Sequence, residues 1–438
     1  MKITKSMRRM LGGGIATLLA VALAGCAPGA STGGGGQGGG SKTGTLTFWL
    51  GGDPVGKEGS ILSAYVASFE SGHPGVKVSV VWTGAQHKQK VQAALVSGDL
   101  PDVVQWWGGS FMEPLITANA LRPLDSYIGG SGDWQSGLID NWSKNYTFSG
   151  KIYAAPTDAS TVQLYYNRDL LSQTGISQPP GTFEDLLAAV KALRAKGVTP
   201  ISINGKDGWP LQEVYTYLAM RNGGAGLIFD ALSGKRPWTD PAFVLAGTQL
   251  RQLIDAGAFA DGWLADDTAA ADARFMTGKA AMYIFGSWTL NSVVSADDKT
   301  LIDKVDYVPF PLTAGGKGTL TELQGGPNGA LGISTKSKMA DIAWEFIKGY
   351  TSVEHASQVA TGTLVLVPNK IRYDRSTVPA IYNDHVDQLA KATGFNLFWN
   401  ELLKPEDNTK FTDLNNSLAE GKITPQQMMD QFAAYMKK

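Results

Sequence analysis

The segment Gly51–Lys57 reads G-x-x-x-x-G-K, placed after an apolar strand-like run and before a helix-like one. In that context backbone amides can cradle phosphate. The next residue is Glu58, not Ser or Thr, so the hydroxyl that would ligate Mg²⁺ is missing and a carboxylate stands where phosphate charge would sit. The turn therefore reads as a strand-end loop that offers Trp49 and Asp53 to a cleft. Hydrolysis of a glycan would need two carboxylates facing each other across a cleft. Asp266-Asp267 and Glu406-Asp407 are adjacent acids whose loop setting favours solvation, and a secreted glycoside hydrolase stays open as an alternative. Serine hydrolase chemistry lacks its G-x-S-x-G elbow. The four histidines (His73, His87, His355, His385) have no H-x-x-x-H spacing, so neither a metal site nor a cofactor is expected.

Residues 1–25 carry Lys2, Lys5, Arg8 and Arg9, no acids, and a short apolar run ending at "LAGC". This is a signal-peptide pattern too short to anchor a membrane as a helix. The junction resembles a bacterial lipobox, which implies cleavage before Cys26 and lipid attachment to its sulfur. Arg8-Arg9 leaves Sec and twin-arginine export both open. Cys26 is the only cysteine, so no disulfide holds the mature chain. Residues 26–43 are Gly-rich with no large apolar side chain and cannot offset the entropy of ordering. They read as a flexible tether spanning roughly 20–25 Å as a coil. The expected location is the outer face of a cell membrane, a Gram-positive surface or the periplasmic side. Without residues 1–25, 34 Lys+Arg remain against 39 Asp+Glu. That balance excludes nucleic acid as a natural partner, because phosphate binding needs a basic surface.

These candidate groups need elements to hold them. About 395 residues follow the tether, more than one hydrophobic core usually serves. Strand-like and helix-like runs alternate: "TLTFWL", "ILSAYVASFESGH", "VKVSVVW", "HKQKVQAALVSG", "PDVVQWW". Ile61, Leu62, Tyr65, Val66 and Phe69 share one helical stripe, while Val76, Val78 and Val80 alternate as in a strand. This predicts an α/β fold with mostly parallel sheets covered by helices, whose ligands bind beyond the carboxyl ends of the strands. The loops after Leu50, Trp82 and Trp107 are the ones to watch.

Seven blocks then occur in order. They are "SGDLPDVVQWW" (97–107), "GKIYAAP" (150–156), "LYYNRDLL" (164–171), "PPGTFEDLLAAVKALRAKG" (179–197), "FMTGKAAMYIFGSW" (275–288), "GALGISTKSKMADIAWEFIKGYTS" (329–352) and a late Gly362-x-x-x-x-x-Pro368. Together they resemble family 1 extracellular solute-binding proteins, the sugar-capturing subunits of ABC importers that include the maltodextrin-binding proteins. The resemblance implies a two-lobed fold of the periplasmic-binding-protein type (class II) with the ligand cleft between lobes. It implies an N-terminal lobe of residues 44–157 plus 328–363 and a C-terminal lobe of 158–327 plus 364–438. Hinge residues would be Thr157, Gly325, Gly326 and Pro327. The implied partners are an oligosaccharide of two to a few units (xylo-, cello-, malto- or chito-type) and membrane permease subunits that read lobe closure. The protein would be a monomer and no enzyme. A non-catalytic surface scaffold is the remaining alternative; it would ignore a glycan that a hydrolase consumes and a capture protein binds unchanged.

A saccharide offers apolar C–H faces and a rim of hydroxyls, so its site needs aromatic plates and planar polar groups. Trp49 ends the first strand. Trp106 and Trp107 end the third and must face opposite sides, so one reaches the cleft while the other packs. By the resemblance, Trp209, Trp288 and Trp399 fall at ligand-stacking positions. Trp344 lies on an apolar helical stripe and reads as core. The polar candidates are Asp53, Gln86 with His87, Asp158, Asn204 and Gln324.

Overall fold

The computed structural model describes residues 41–130 and 132–437. Cys26, the leader and most of the tether lie outside the described residues. Among those residues no helix is long and apolar enough to cross a membrane.

Among the described residues thirteen strands form two main sheets and a small hairpin. They are β1 (Gly44–Leu50), β2 (Val76–Trp82), β3 (Val103–Trp107), β4 (Thr147–Phe148), β5 (Lys151–Ile152), β6 (Ala155–Pro156), β7 (Ala159–Asn167), β8 (Thr199–Ser202), β9 (Ala280–Gly286), β10 (Val305–Val308), β11 (Glu322–Pro327), β12 (Gly329–Ile333) and β13 (Gly394–Asn396). The first sheet has the order β2-β1-β3-β12-β6. The second runs β13-β11-β7-β9-β8, with β10 also on β7, and β4 pairs only with β5.

Local pattern accounts for the early elements. In β1, Leu46, Phe48 and Leu50 alternate into the core, as the period-2 geometry of a strand requires. The helix Lys57–Gly72 follows and buries Leu62 and Phe69 on the stripe visible in the sequence. Farther on, the helix Phe183–Ala195 opens with a capping box between Thr182 and Asp185 and buries Phe183, Leu186, Val190 and Leu193. Such a box satisfies two amides that the first turn leaves orphaned.

The expectation of mostly parallel sheets holds for β2-β1-β3 and for the pairs β8-β9 and β11-β13. It gives way elsewhere: β12 runs antiparallel to β3 and β6, and β7 runs antiparallel to β9, β10 and β11. The reason is the chain path. β6 belongs to the first sheet and β7 to the second, while β11 and β12 make the same passage in reverse, so strands joined across the middle must oppose their neighbours.

The two passages lie side by side. The Thr157 amide donates to the Gly329 carbonyl at 2.9 Å, and the Asn328 amide donates to the Asp158 carbonyl at 3.1 Å. Gly325 has φ 121°, and a Cβ there would fall onto the Ser160 carbonyl oxygen of β7. Only glycine allows that backbone and that approach together. A third passage leaves the helix Val353–Thr363, which packs on Ile61 of the first long helix, and lays Leu366 against β7 through an Ala159 amide bond of 2.8 Å.

The first sheet packs on one apolar core and the second sheet on two. Phe48, Val103, Trp106, Trp344 and Phe346 belong to the core of the first sheet. The larger core of the second sheet centres on the helix Trp209–Gly223, in which every residue from Pro210 to Asn222 is buried.

Candidate ligand-binding cleft

Two cavities open where the sheets meet. The wider is about 920 Å³ and takes lining from the first sheet (Asp53, Glu58, Gln105), from the passages (Thr157, Asp158, Asn328) and from the second sheet (Ser160, Ser287). The narrower is about 320 Å³ and is walled by Phe111, Trp209 and Phe398, with Lys88, Glu213 and Glu401. Trp107, Trp288 and Asn328 line both. The two spaces are therefore compartments of one cleft, with an indole from each sheet at their junction.

Strand geometry sets those indoles. At the end of β3, Trp106 points into the core, where its Nε1 donates to the Phe111 carbonyl at 2.7 Å, and Trp107 turns to the cavities. Trp288 follows β9 directly. Its ring folds back over Gly286, where any Cβ would collide with it, and leans on Phe285 (5.4 Å) and Trp209 (6.0 Å). Trp209 and Glu213 are one turn apart at the start of the buried helix, so both reach the same side.

The turn after β1 has the opposite of phosphate-binding character. It is held by the Gln105 Oε1, which accepts the Gly51 amide at 2.7 Å. His87 braces the same strand: its ring bonds Thr83 Oγ1 and the Gln105 carbonyl, and burial lowers its pKa, keeping it neutral. Gly52 packs against the carboxylate of Glu58, which lines the wider compartment.

Five carboxyl groups line the cleft; Asp53 is exposed, and desolvation raises the pKa of the other four. For Glu58 the charge on Asp158 adds to desolvation. Asp158 is raised by burial and drawn back by bonds from the Gly329 amide and the Thr157 hydroxyl. Glu213 is raised by burial and by Glu401. Glu401 is pushed up to about 8 by burial, against a bond from Asn145 Nδ2 at 3.3 Å and with Asp158 adding to the rise. Burial costs the charged form of a carboxyl group, which is the cause common to all four.

Aromatic side chains from both sheets, with polar groups lining the same space, suit a concave ligand site better than a phosphate cradle. The family described as bacterial extracellular solute-binding protein matches residues 52–356, well over half the chain. This chain belongs to that family. A structure from work on xylan utilisation by Caldanaerobius polysaccharolyticus is 31 % identical, covers 89 % of this chain and 99 % of its own, and superposes with a TM-score of 0.81. The "Multiple sugar-binding protein" of Streptococcus mutans is 25 % identical over 300 residues, 66 % of this chain and 68 % of that protein. A "Chitin oligosaccharide binding protein" is 23 % identical, with a TM-score of 0.80 over 91 % of this chain and 99 % of its own, and shares the two-lobed fold. Among curated relatives matched, the chain spans 57–68 % of their own length.

In this solute-binding protein, Asp53, Trp107, Asp158, Trp209 and Trp288 line the cleft, as does Thr157. Other candidates lie elsewhere. Trp49 sits half-buried on the face of β1 away from Phe48 and packs on the first core. Gln86 is exposed, ahead of the helix His87–Ser97, and lines neither compartment. Trp106 is core. Asn204 is buried and donates to Asp207 at 2.6 Å, which ties the loop before the Trp209 helix instead of reaching a ligand. Gln324 is buried within β11. Trp399 is 1 % exposed, wedged among Tyr215, Trp238, Phe243 and Phe411. Gly325 and Gly326 lie in β11, and Pro327 ends it.

Sequence reasoning missed Glu58, Lys88, Gln105, Glu213, Asn328 and Glu401. Glu213 did leave a signal: it is the lone charge in the otherwise uncharged "WPLQEVYTYLAM".

The floor of the narrow compartment depends on a close approach. Gly109 has φ 62°, and a Cβ there would fall onto the Glu401 carbonyl oxygen; Ser110 Oγ donates to the Asn400 carbonyl at 3.1 Å. Gly109→Ala is therefore expected to cost about 2 kcal/mol, from the positive φ and the clash together. Chemical denaturation checks this; an unchanged midpoint would mean that these loops do not touch.

Proposed function

We propose that this protein captures a short oligosaccharide, of two to a few units, and delivers it unchanged to the permease of an ABC importer. The observation that carries the reading is the pair Trp107 and Trp288, one from each sheet, bounding the same two compartments. Opposed indoles can stack on both faces of a pyranose ring, and the surrounding carboxyl and amide groups can accept its hydroxyls. Two relatives support the sugar class: the Streptococcus mutans protein by its name, and the 31 % identical structure by its setting in xylan utilisation.

In this reading residues 44–157 with 328–363 form one lobe and 158–327 with 364–438 the other. They close about Thr157 and the Gly325–Pro327 segment. Closure buries the sugar and presents the permease with a different surface. Residues 1–25 direct export, Cys26 carries the lipid, and the tether holds a monomeric receptor at the outer membrane face. No catalytic step is required, and the adjacent acids 266–267 and 406–407 line neither compartment.

The test is a titration of the chain lacking residues 1–25 with xylo-, cello-, malto- and chito-oligosaccharides, followed by tryptophan fluorescence and by small-angle scattering. Expected are a saturable fluorescence change with at least one series and a smaller radius of gyration on saturation. Silence toward every oligosaccharide tried, amino sugars included, would defeat the proposal.

A further inference from the structure

The narrow compartment carries more anionic chemistry than a neutral sugar requires. Glu213 is 2 % exposed, and neither of its carboxylate oxygens has a hydrogen-bond partner among the described residues. Glu401 is 3 % exposed and is met by Asn145 Nδ2. Both line a space of about 320 Å³ whose other walls are largely aromatic.

Among the described residues no cation lies within ion-pair distance of either carboxylate. Lys88 is the basic residue of this lining, and its Nζ lies 4.4 Å from the centre of the Phe111 ring. Among the described residues it makes no ion pair within 4 Å of either carboxylate. Arg221, two turns beyond Glu213 on the same helix, is committed to the carbonyls of Phe310 and Glu322 and to the Tyr217 ring. The wide compartment adds Glu58, Asp158 and the basic Lys57, and among the described residues neither of these two acids makes an ion pair within 4 Å.

We infer that the narrow compartment receives the ammonium group of an amino sugar, seated between Glu213 and Glu401 and faced by Trp107, Trp209 and Trp288. The inference rests on reading the cleft as a saccharide site and specifies which chemical class of saccharide enters it. Hydroxyl groups can occupy carboxylate lone pairs, but they bring no charge, and sealing two anions away from water is costly. An ammonium group supplies three donors and a full positive charge in one compact head. The indole faces that stack on sugar C–H surfaces also attract a cation within about 6 Å. The elevated carboxyl pKa values fit the same account, since two acids held together in a dry pocket favour protons until a cation replaces them.

The test is calorimetry at pH 7 on the chain lacking residues 1–25, with three ligands of equal ring number. These are a β-1,4-linked glucosamine trimer with free amines, its fully N-acetylated counterpart, and cellotriose. The free-amine trimer is expected to bind at least tenfold tighter than either neutral trimer. In Glu213→Gln and in Glu401→Gln the ratio of amine to neutral affinity, taken within each variant, is expected to fall toward one. If the amine trimer binds no tighter than the neutral ones, or its advantage survives both substitutions, the inference is overturned while saccharide capture stands. If none of the three binds, and the four neutral series are silent too, the saccharide reading itself fails. The ligand comparison on the unsubstituted chain is decisive even where a variant does not fold.

Discussion

Trp288→Ala is expected to weaken oligosaccharide binding roughly 30- to 150-fold, about 2–3 kcal/mol, the scale of one large apolar face removed from contact. The ring stands at the junction of both compartments, so its loss opens the stack on the second-sheet side wherever the sugar lies. Trp399→Ala is the informative contrast. That indole is enclosed by Tyr215, Trp238, Phe243 and Phe411 and lines neither compartment, so its removal should cost about 3–5 kcal/mol of folding stability. Its effect on affinity should be small in whatever protein remains folded. Trp288 also leans on Phe285 and Trp209, so a modest stability loss accompanies its binding loss. The two variants are separated by measuring melting and sugar titration on each. If Trp399→Ala lost affinity with its melting intact, or Trp288→Ala lost melting with its affinity intact, the assignment of ring to cleft and ring to core would be reversed.

The difference between these two tryptophans shows where the sequence stops being informative. The alternation of "VVQWW" decides that Trp106 and Trp107 part company, because successive strand residues face opposite sides. The register of β3 against β1 and β12 then selects which of them meets the cleft. Trp288 is equally readable in kind: it follows a buried strand whose carboxyl end must face the ligand side. Trp399 sits in a short helix after a loop. No period governs it, and its surroundings come from the helices Trp209–Gly223 and Pro241–Asp255, which lie far off along the chain, and from the next helix, Pro405–Ala419. Asn204 fails for a related reason. Its loop does lie near the Trp209 helix, but Asp207, three residues on, captures its amide.

Charge was harder to read than aromaticity. An isolated Glu or Asp on a helix is usually solvated, and Glu401 in "FWNELLKPED" gives no local sign of burial. It becomes a cleft group because the loop around Gly108 and Gly109 packs against its backbone and Asn145 reaches its side chain. The mixed direction of the sheets was hidden for the same kind of reason. β6, β11 and β12 are two to six residues long, and their direction is set by the passages between sheets, which strand periodicity does not encode.

The carboxyl group of Glu401 also fixes the direction of a large pH effect on stability. In the folded chain burial pushes it up to about 8, from an ordinary 4.5. Below pH 4.5 the group is protonated whether the chain is folded or not, and it favours neither state. Between 4.5 and about 8 the folded chain holds the proton while the unfolded chain has released it. Stability must therefore fall as pH rises through that window, because the native state binds more protons there. Above about 8 the group is ionised in both states and the full cost is present. Glu401→Gln keeps the shape and removes the titration. At pH 8.5 the ligand-free variant is expected to be more stable than the parent by about 3–5 kcal/mol, since each pKa unit is worth about 1.4 kcal/mol. That corresponds to a melting temperature higher by about 3–6 °C in a chain of this size. Below pH 5 the two melting curves should converge. Glu58, Asp158 and Glu213 are shifted the same way and remain in the variant, so its own stability still declines with pH, but less steeply. Thermal melts of both proteins from pH 4 to pH 9 test this directly. Parallel curves with a constant offset would show that Glu401 titrates as an ordinary carboxyl group, and the buried anionic seat would lose one of its two members.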